Sequence, residues 1–372
     1  MKYMKQLDSL RAIAVLFVLF DHFYSCKTQA LPFLKQSIPW GGIGVRFFFV
    51  LSGFLITYIL LKNRGSYEAG ISTLSEALRV FYARRALRIF PIYFIAVFGT
   101  LALSISPVRE TLFWLISHTS NFYIAKRGDW HGPISHLWSL SVEEQFYLVW
   151  PLFLILTPKR YLLSAISVVI LSAPVFRHIC SVLEIKFLIV YVLPFGHIDL
   201  FGIGALLAYL KFFNVQNRAV TIFLKASLLL GIASFFDTAI YAPAFRPKFF
   251  GCFSYTFNGL LYGWIIWNAA EGFKGIAGRI LEMSPLVYIG KISYGIYLYH
   301  LFIPEIIRLH FERFYNYLGN QSIFVQLLIF TPITLVISSI SWFIVEKPIL
   351  SLKEKHRQKT SLLRTELAPS EK

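Results

Sequence analysis

Residues 16–25 read LFVLFDHFYS, an apolar run that sets Asp21 beside His22. In a helix that crosses lipid, ionisable side chains are expensive and mark function. In a soluble protein the same pair would mean little. The rest of the chain decides between these cases. Of 372 residues, 56% are hydrophobic and only 15% charged, whereas a soluble domain carries about 25% charged residues. Uncharged stretches such as 89–108, 249–270 and 314–345 recur along the chain with lengths fit for a bilayer. The fold class expected is therefore all-α, a polytopic integral membrane bundle in which each helix satisfies its own backbone.

About ten transmembrane helices are expected, near 9–26, 42–61, 86–106, 137–157, 161–176, 188–210, 219–236, 250–268, 286–307 and 323–345. The stretch TLFWLISHTSNFY (111–123) is marginal and reads as re-entrant or interfacial. Lys and Arg gather on the N-terminal side of this topology, so the positive-inside rule puts both termini in the cytoplasm. Topology and anionic lipid then absorb the formal net charge of +17. No basic patch sits in a recognisable nucleic-acid module, and no nucleic-acid partner is expected. The first helix has no small-residue cleavage site and reads as retained. Cys26, Cys180 and Cys252 fall toward the outer face and are expected as buried thiols rather than a disulfide. The domain plan is one transmembrane domain over 1–345 and a polar cytoplasmic tail over 346–372, with no internal repeat.

Arg11 and His22 lie eleven residues apart, three helical turns, so they share a face about 16 Å apart. Asp8, one turn before Arg11, can pair with it. Asp21 points about 100° away from His22, which makes the two a poor dyad; Asp21 is expected to face Arg46 and to act as electrostatic support. In YARRALRIFPIYF (82–94), Arg84, Arg85 and Arg88 enter the third helix, and guanidinium groups suit phosphate. The bland reading of that cluster is a positive-inside anchor. In HGPISHLWSLSVEEQFYLVWP (131–151), Glu143 and Glu144 sit about as deep as His22, where Glu144 can orient an imidazole or move a proton. In KISYGIYLYHLFIPE (291–305), His300 falls near the same level. His22, Glu144 and His300 leave a two-His, one-carboxylate set conceivable, although no metal is expected. Ser52, midway in the second helix, can donate a hydrogen bond or serve close packing.

Together these stretches resemble the bacterial membrane acyltransferase-3 family. The matching motifs are LDSLRAIAVLFVLFDHF, GGIGVRFFFVLSGFLIT, RRALRIFPIYF, HLWSLSVEEQFYLVWP, ISYGIYLYHLFI and a terminal VEKPI, in the family's order over residues 5 to about 349. The resemblance implies a multi-pass enzyme of the bacterial inner membrane. Such enzymes move acyl groups, most often acetyl from acetyl-CoA, onto hydroxyls of cell-surface or secreted carbohydrate. It implies a catalytic role for His22 and essential roles for Arg11, Arg85 and Arg88. On this reading acetyl-CoA enters from the cytoplasm, its phosphates held by Arg84, Arg85, Arg88 and Arg11, and its pantetheine arm spans the distance to His22. The imidazole then acts as general base or carries the acetyl itself. One departure stands out: FGHIDLFGIGALLA (195–208) shows His197 and Asp199 where the family often has an arginine. A transporter or an export scaffold is the competing class. The missing repeat and the cost of intramembrane charges at matched depths weigh against both.

Overall fold

The computed structural model describes residues 3–24, 38–240, 248–319 and 323–351, and all regular structure among them is helical. In chain order, α1 (Lys5–Tyr24) is one unbroken helix. It is followed by α2 (Trp40–Glu68) and α3 (Leu74–Ala102). Thr73 and Glu76 close a capping box at the start of α3, satisfying two backbone donors that would otherwise lack partners. The marginal stretch at 111–123 becomes two short helices, α4 (Val108–Ile116) and α5 (Ser120–Arg127), separated at His118, whose φ is 51°. Next come α6 (Leu137–Leu156), α7 (Lys159–Val182), α8 (Phe187–Val192), α9 (Ile198–Phe212), α10 (Arg218–Ile240) and α11 (Lys248–Glu271). The chain continues as α12 (Gly275–Leu281), α13 (Ser284–Lys291), α14 (Ser293–Tyr299), α15 (Phe302–His310), α16 (Glu312–Gly319) and α17 (Ile323–Ser341).

Six helices among the described residues are long and apolar enough to cross a membrane: Trp40–Glu68, Leu74–Ala102, Gly132–Leu156, Lys159–Val182, Arg218–Asp237 and Val325–Ser351. The sequence reading placed about ten. Some of the others differ for visible reasons. α1 carries Asp8, Arg11, Asp21 and His22. The stretch 188–210 is split between α8 and α9, and 286–307 is split into α13, α14 and α15. At the last break Pro304 has no N–H to offer the carbonyl of His300, which removes one helical hydrogen bond from that turn.

α1 is the hub, touching α2, α11, α12, α13, α14 and α17. The most extensive packing joins α2 to α9. There the backbones meet directly, since a Cβ on Gly53 would strike the Phe201 carbonyl and one on Gly204 the Val50 carbonyl. Small residues permit this approach in lipid, where packing rather than water exclusion holds helices together. An aromatic stack then ties in α6: Phe49 to Phe201 at 4.7 Å, Phe201 to Phe146 at 4.2 Å and Phe146 to Trp150 at 5.1 Å between centroids. At the periphery α10 exposes Ile222, Leu229, Leu230 and Phe236, as a lipid-facing helix does.

His197 and Asp199 serve internal cross-links. Arg177 Nη2 donates to Asp199 Oδ2 at 2.8 Å and to Thr256 at 2.9 Å, and Nη1 reaches Asp199 Oδ1 at 3.2 Å. Arg177 Nη1 and Nε also bond the carbonyls of Gly196 and Cys252. The network joins α7, α9 and α11, and the His197 ring bonds the Tyr191 carbonyl at 2.7 Å. Cys180 and Cys252 are buried free thiols. Cys26, and the tail beyond residue 351, lie outside the described residues.

Candidate active site

The polar side chains of α1 leave the helix at two levels, and each level opens on a cavity. At the first level Arg11 Nη1 donates to Asp8 Oδ1 at 2.5 Å, the pair that the spacing foretold. Arg11 lines a cavity of about 100 Å³ together with Arg85, Arg88, Ser52, Glu143 and Glu144. Arg85 and Arg88, three residues apart on α3, reach it from one face. Arg84 is half-buried and not among the lining residues, because adjacent helical positions point about 100° apart. The Arg85 guanidinium lies 5.5 Å from the Tyr147 ring centroid, a cation–π arrangement. Glu143 is held firmly: Tyr147 donates to its Oε1 at 2.8 Å, and the Ser52 hydroxyl donates to the same oxygen. Ser52 thus spends its hydrogen bond inside the protein.

At the second level His22 lines a separate cavity of about 260 Å³ with Phe23, Gly132, Pro133, Glu305, Tyr315, Gln326 and Phe330. Its Nδ1 stands 2.8 Å from Nε2 of His300, and the two ring planes are within 22° of each other with centroids 4.9 Å apart. His300 is fully buried and its Nδ1 lies 2.6 Å from the Tyr297 carbonyl. A third imidazole, His136, sits edge-on to His300 at 4.8 Å and bonds the Leu298 carbonyl at 3.1 Å.

Tyr297 connects the two levels. Its backbone carbonyl holds His300, while its side chain lines the first cavity. There its hydroxyl meets Ser139 Oγ at 2.5 Å. Tyr297 thus stands between the guanidinium cavity and the imidazoles.

One expectation changes. Glu144, read from its depth as the group orienting His22, lies in the first cavity among the arginines, and Nδ1 of His22 is matched with His300 instead. Depth along a helix can be read from sequence; azimuth between helices cannot. No group of three or more His, Cys, Asp or Glu fit to hold a metal occurs among the described residues, so the two-His, one-carboxylate set is not assembled. Asp21 rests against the start of α2, where a Cβ on Gly41 would stand 2.7 Å from its Oδ2. The Arg46 guanidinium lies 4.4 Å from the Tyr255 ring centroid. The residues that sequence reasoning left without a role are His300, Tyr297, Ser139 and Glu143. For His300 a signal existed: a histidine four residues before a proline in an apolar helix marks a break that can aim a side chain.

A family model described as an acyltransferase domain matches residues 4–343. Curated relatives include a Staphylococcus aureus (strain MSSA476) protein named "putative O-acetyltransferase", 30% identical over 94% of this chain and 57% of its own. Peptidoglycan O-acetyltransferase OatA of Listeria monocytogenes is 30% identical over 80% of this chain and 49% of its own. A Bacillus subtilis protein named "putative peptidoglycan O-acetyltransferase" is 27% identical over 94% and 55%. The chain spans about half the length of these curated relatives. No solved structure matches it.

Proposed function

The chain belongs to the acyltransferase-3 family, whose acyltransferase domain covers it almost end to end, and from that premise we propose that it is a membrane O-acetyltransferase. In this reading it transfers acetyl from acetyl-CoA on the cytoplasmic side of a bacterial inner membrane to a carbohydrate hydroxyl on the other. The observation that carries the proposal is the α1 face itself: one unbroken helix presents Arg11 to a guanidinium-lined cavity and His22, three turns on, to a second, larger cavity.

The donor set of the first cavity suits a phosphorylated co-substrate. Three guanidinium groups converge, and one of the two carboxylates among them is held by Ser52 and Tyr147. Arg11, Arg85 and Arg88 would hold the phosphates bidentately, with Asp21 left as distant electrostatic support and Arg84 outside direct contact. The first cavity, beside the guanidinium groups, would take the donor, and the second, larger one beside His22 the acceptor sugar. Acetyl-CoA supplies an acyl group already activated as a thioester. The relatives' printed names make peptidoglycan the first acceptor to try.

His22 takes the proton of the acceptor hydroxyl as that oxygen forms its bond to the acyl carbon. The carbon–sulfur bond breaks, and the imidazolium returns the proton to the departing thiolate. General-base help of this kind contributes about 10²–10⁴-fold. The test is direct. Membranes containing the chain, given radiolabelled acetyl-CoA and peptidoglycan or endogenous surface glycan, should release free CoA and yield base-labile label on glycan. Label that stays on acetyl-CoA with all of these acceptors would count against the proposal.

A further inference from the structure

We propose that His300 is a positioning residue that fixes the tautomer of His22, so that the nitrogen His22 keeps for chemistry is an unprotonated Nε2. The proposal rests on the reading of His22 as the base.

The argument follows the hydrogens. A carbonyl oxygen only accepts, so the 2.6 Å contact between His300 Nδ1 and the Tyr297 carbonyl puts a hydrogen on that Nδ1. A neutral imidazole carries one N–H, and Nε2 of His300 is then an acceptor. Nδ1 of His22, 2.8 Å away, must supply the hydrogen between them. That leaves the lone pair of His22 on Nε2, the nitrogen not engaged by His300, on a ring that lines the second cavity. Hydrogen bonding at one ring nitrogen sets what the other can do.

The fold holds this relay in place. His300 is fully buried and enclosed by the rings of Phe23, His136 and Tyr297. It sits at the break between α14 and α15, four residues before Pro304, which has no N–H for its carbonyl. The carbonyl that starts the relay belongs to Tyr297, whose hydroxyl is fastened to Ser139 on the first-cavity side. The orientation of the base is thereby tied, through Tyr297, to a residue that lines the first cavity.

The test uses the full chain in lipid, labelled with [15N]histidine, as wild type, His300→Ala and His300→Gln. The His22 signal is assigned by its loss in His22→Asn. A glutamine oxygen stands about where Nε2 of the imidazole does and can accept from His22. The expected result is a wild-type His22 protonated on Nδ1 and bare on Nε2. His300→Ala should lose that preference, and kcat with acetyl-CoA and soluble peptidoglycan fragments should fall about tenfold or more, a part of the ~10²–10⁴-fold a general base supplies. KM for acetyl-CoA should hold, and His300→Gln should restore both tautomer and rate. A merely structural His300 would not give this split. The proposal is overturned by a wild-type His22 protonated on Nε2, by His300→Ala unchanged in tautomer or kcat, or by His300→Gln as impaired as His300→Ala. Should the tautomer be found as stated while wild type transfers no acetyl, the functional reading fails and the hydrogen assignment stands.

Discussion

Replacing Asp199 with leucine should destabilise the bundle without touching acetyl-CoA recognition. Arg177 is 7% exposed and Asp199 is wholly buried. The substitution removes two of the guanidinium's five hydrogen bonds and leaves its charge in a low-dielectric interior. Breaking one side of a buried pair costs about 3–5 kcal/mol. At about 2–4 °C per kcal/mol for mid-sized domains, the melting temperature in detergent should fall on the order of 10 °C, read by fluorescence-detected gel filtration after heating. Below that temperature acetyl-CoA binding should match wild type. The double variant Asp199→Leu/Arg177→Met removes both charges and should recover most of the loss, since well-packed apolar replacements of buried pairs are often neutral. A single variant as stable as wild type, or a double variant no better than the single, would refute the reasoning.

Three further outcomes follow from the same geometry. Arg85→Ala and Arg88→Ala should each weaken acetyl-CoA binding about 10- to 150-fold by calorimetry, because hydrogen bonds to charged groups are worth about 1.5–3 kcal/mol. Arg84→Ala should weaken it far less, and equal effects at all three would reduce the cluster to a topology anchor. Glu143→Ala removes the acceptor shared by Ser52 and Tyr147, leaving them only their 3.0 Å bond to each other, and should cost about 1–3 kcal/mol of stability, whereas Glu144→Gln should leave the His22 tautomer unchanged by 15N spectroscopy. Gly53→Ala should lower the yield of folded protein, its Cβ meeting the Phe201 carbonyl, while Gly65→Ala, which meets nothing, should be neutral or stabilising by about 0.5–1 kcal/mol.

What the sequence made legible was whatever a single helix decides. The Asp8–Arg11 pair and the shared face of Arg11 and His22 follow from 3.6 residues per turn, and both stand in α1 as read. The convergence of Arg11 with Arg85 and Arg88 joined two such faces by charge and depth. Which side chains touch between helices was not legible. Glu143 and Glu144 are indistinguishable by depth, yet only one is clasped by Ser52 and Tyr147. His22 and His300, read as lying near one level, do meet across 278 residues, but the nitrogens that face each other could not be read. Arg177 and Asp199 sit on different helices with no pattern to pair them. The expected ten spans rested on apolar length, which overlooks breaks such as Pro194–Gly196.

Acetyl transfer by His22→Gln, measured beside acetyl-CoA binding on the same purified protein, puts the division of labour along α1 to the most direct test. Transfer should vanish while binding stays at the wild-type level, because the proposed phosphate grip belongs to the other cavity. Undiminished transfer, or loss of transfer together with loss of binding, would contradict an imidazole that does the chemistry apart from the arginines that hold the donor.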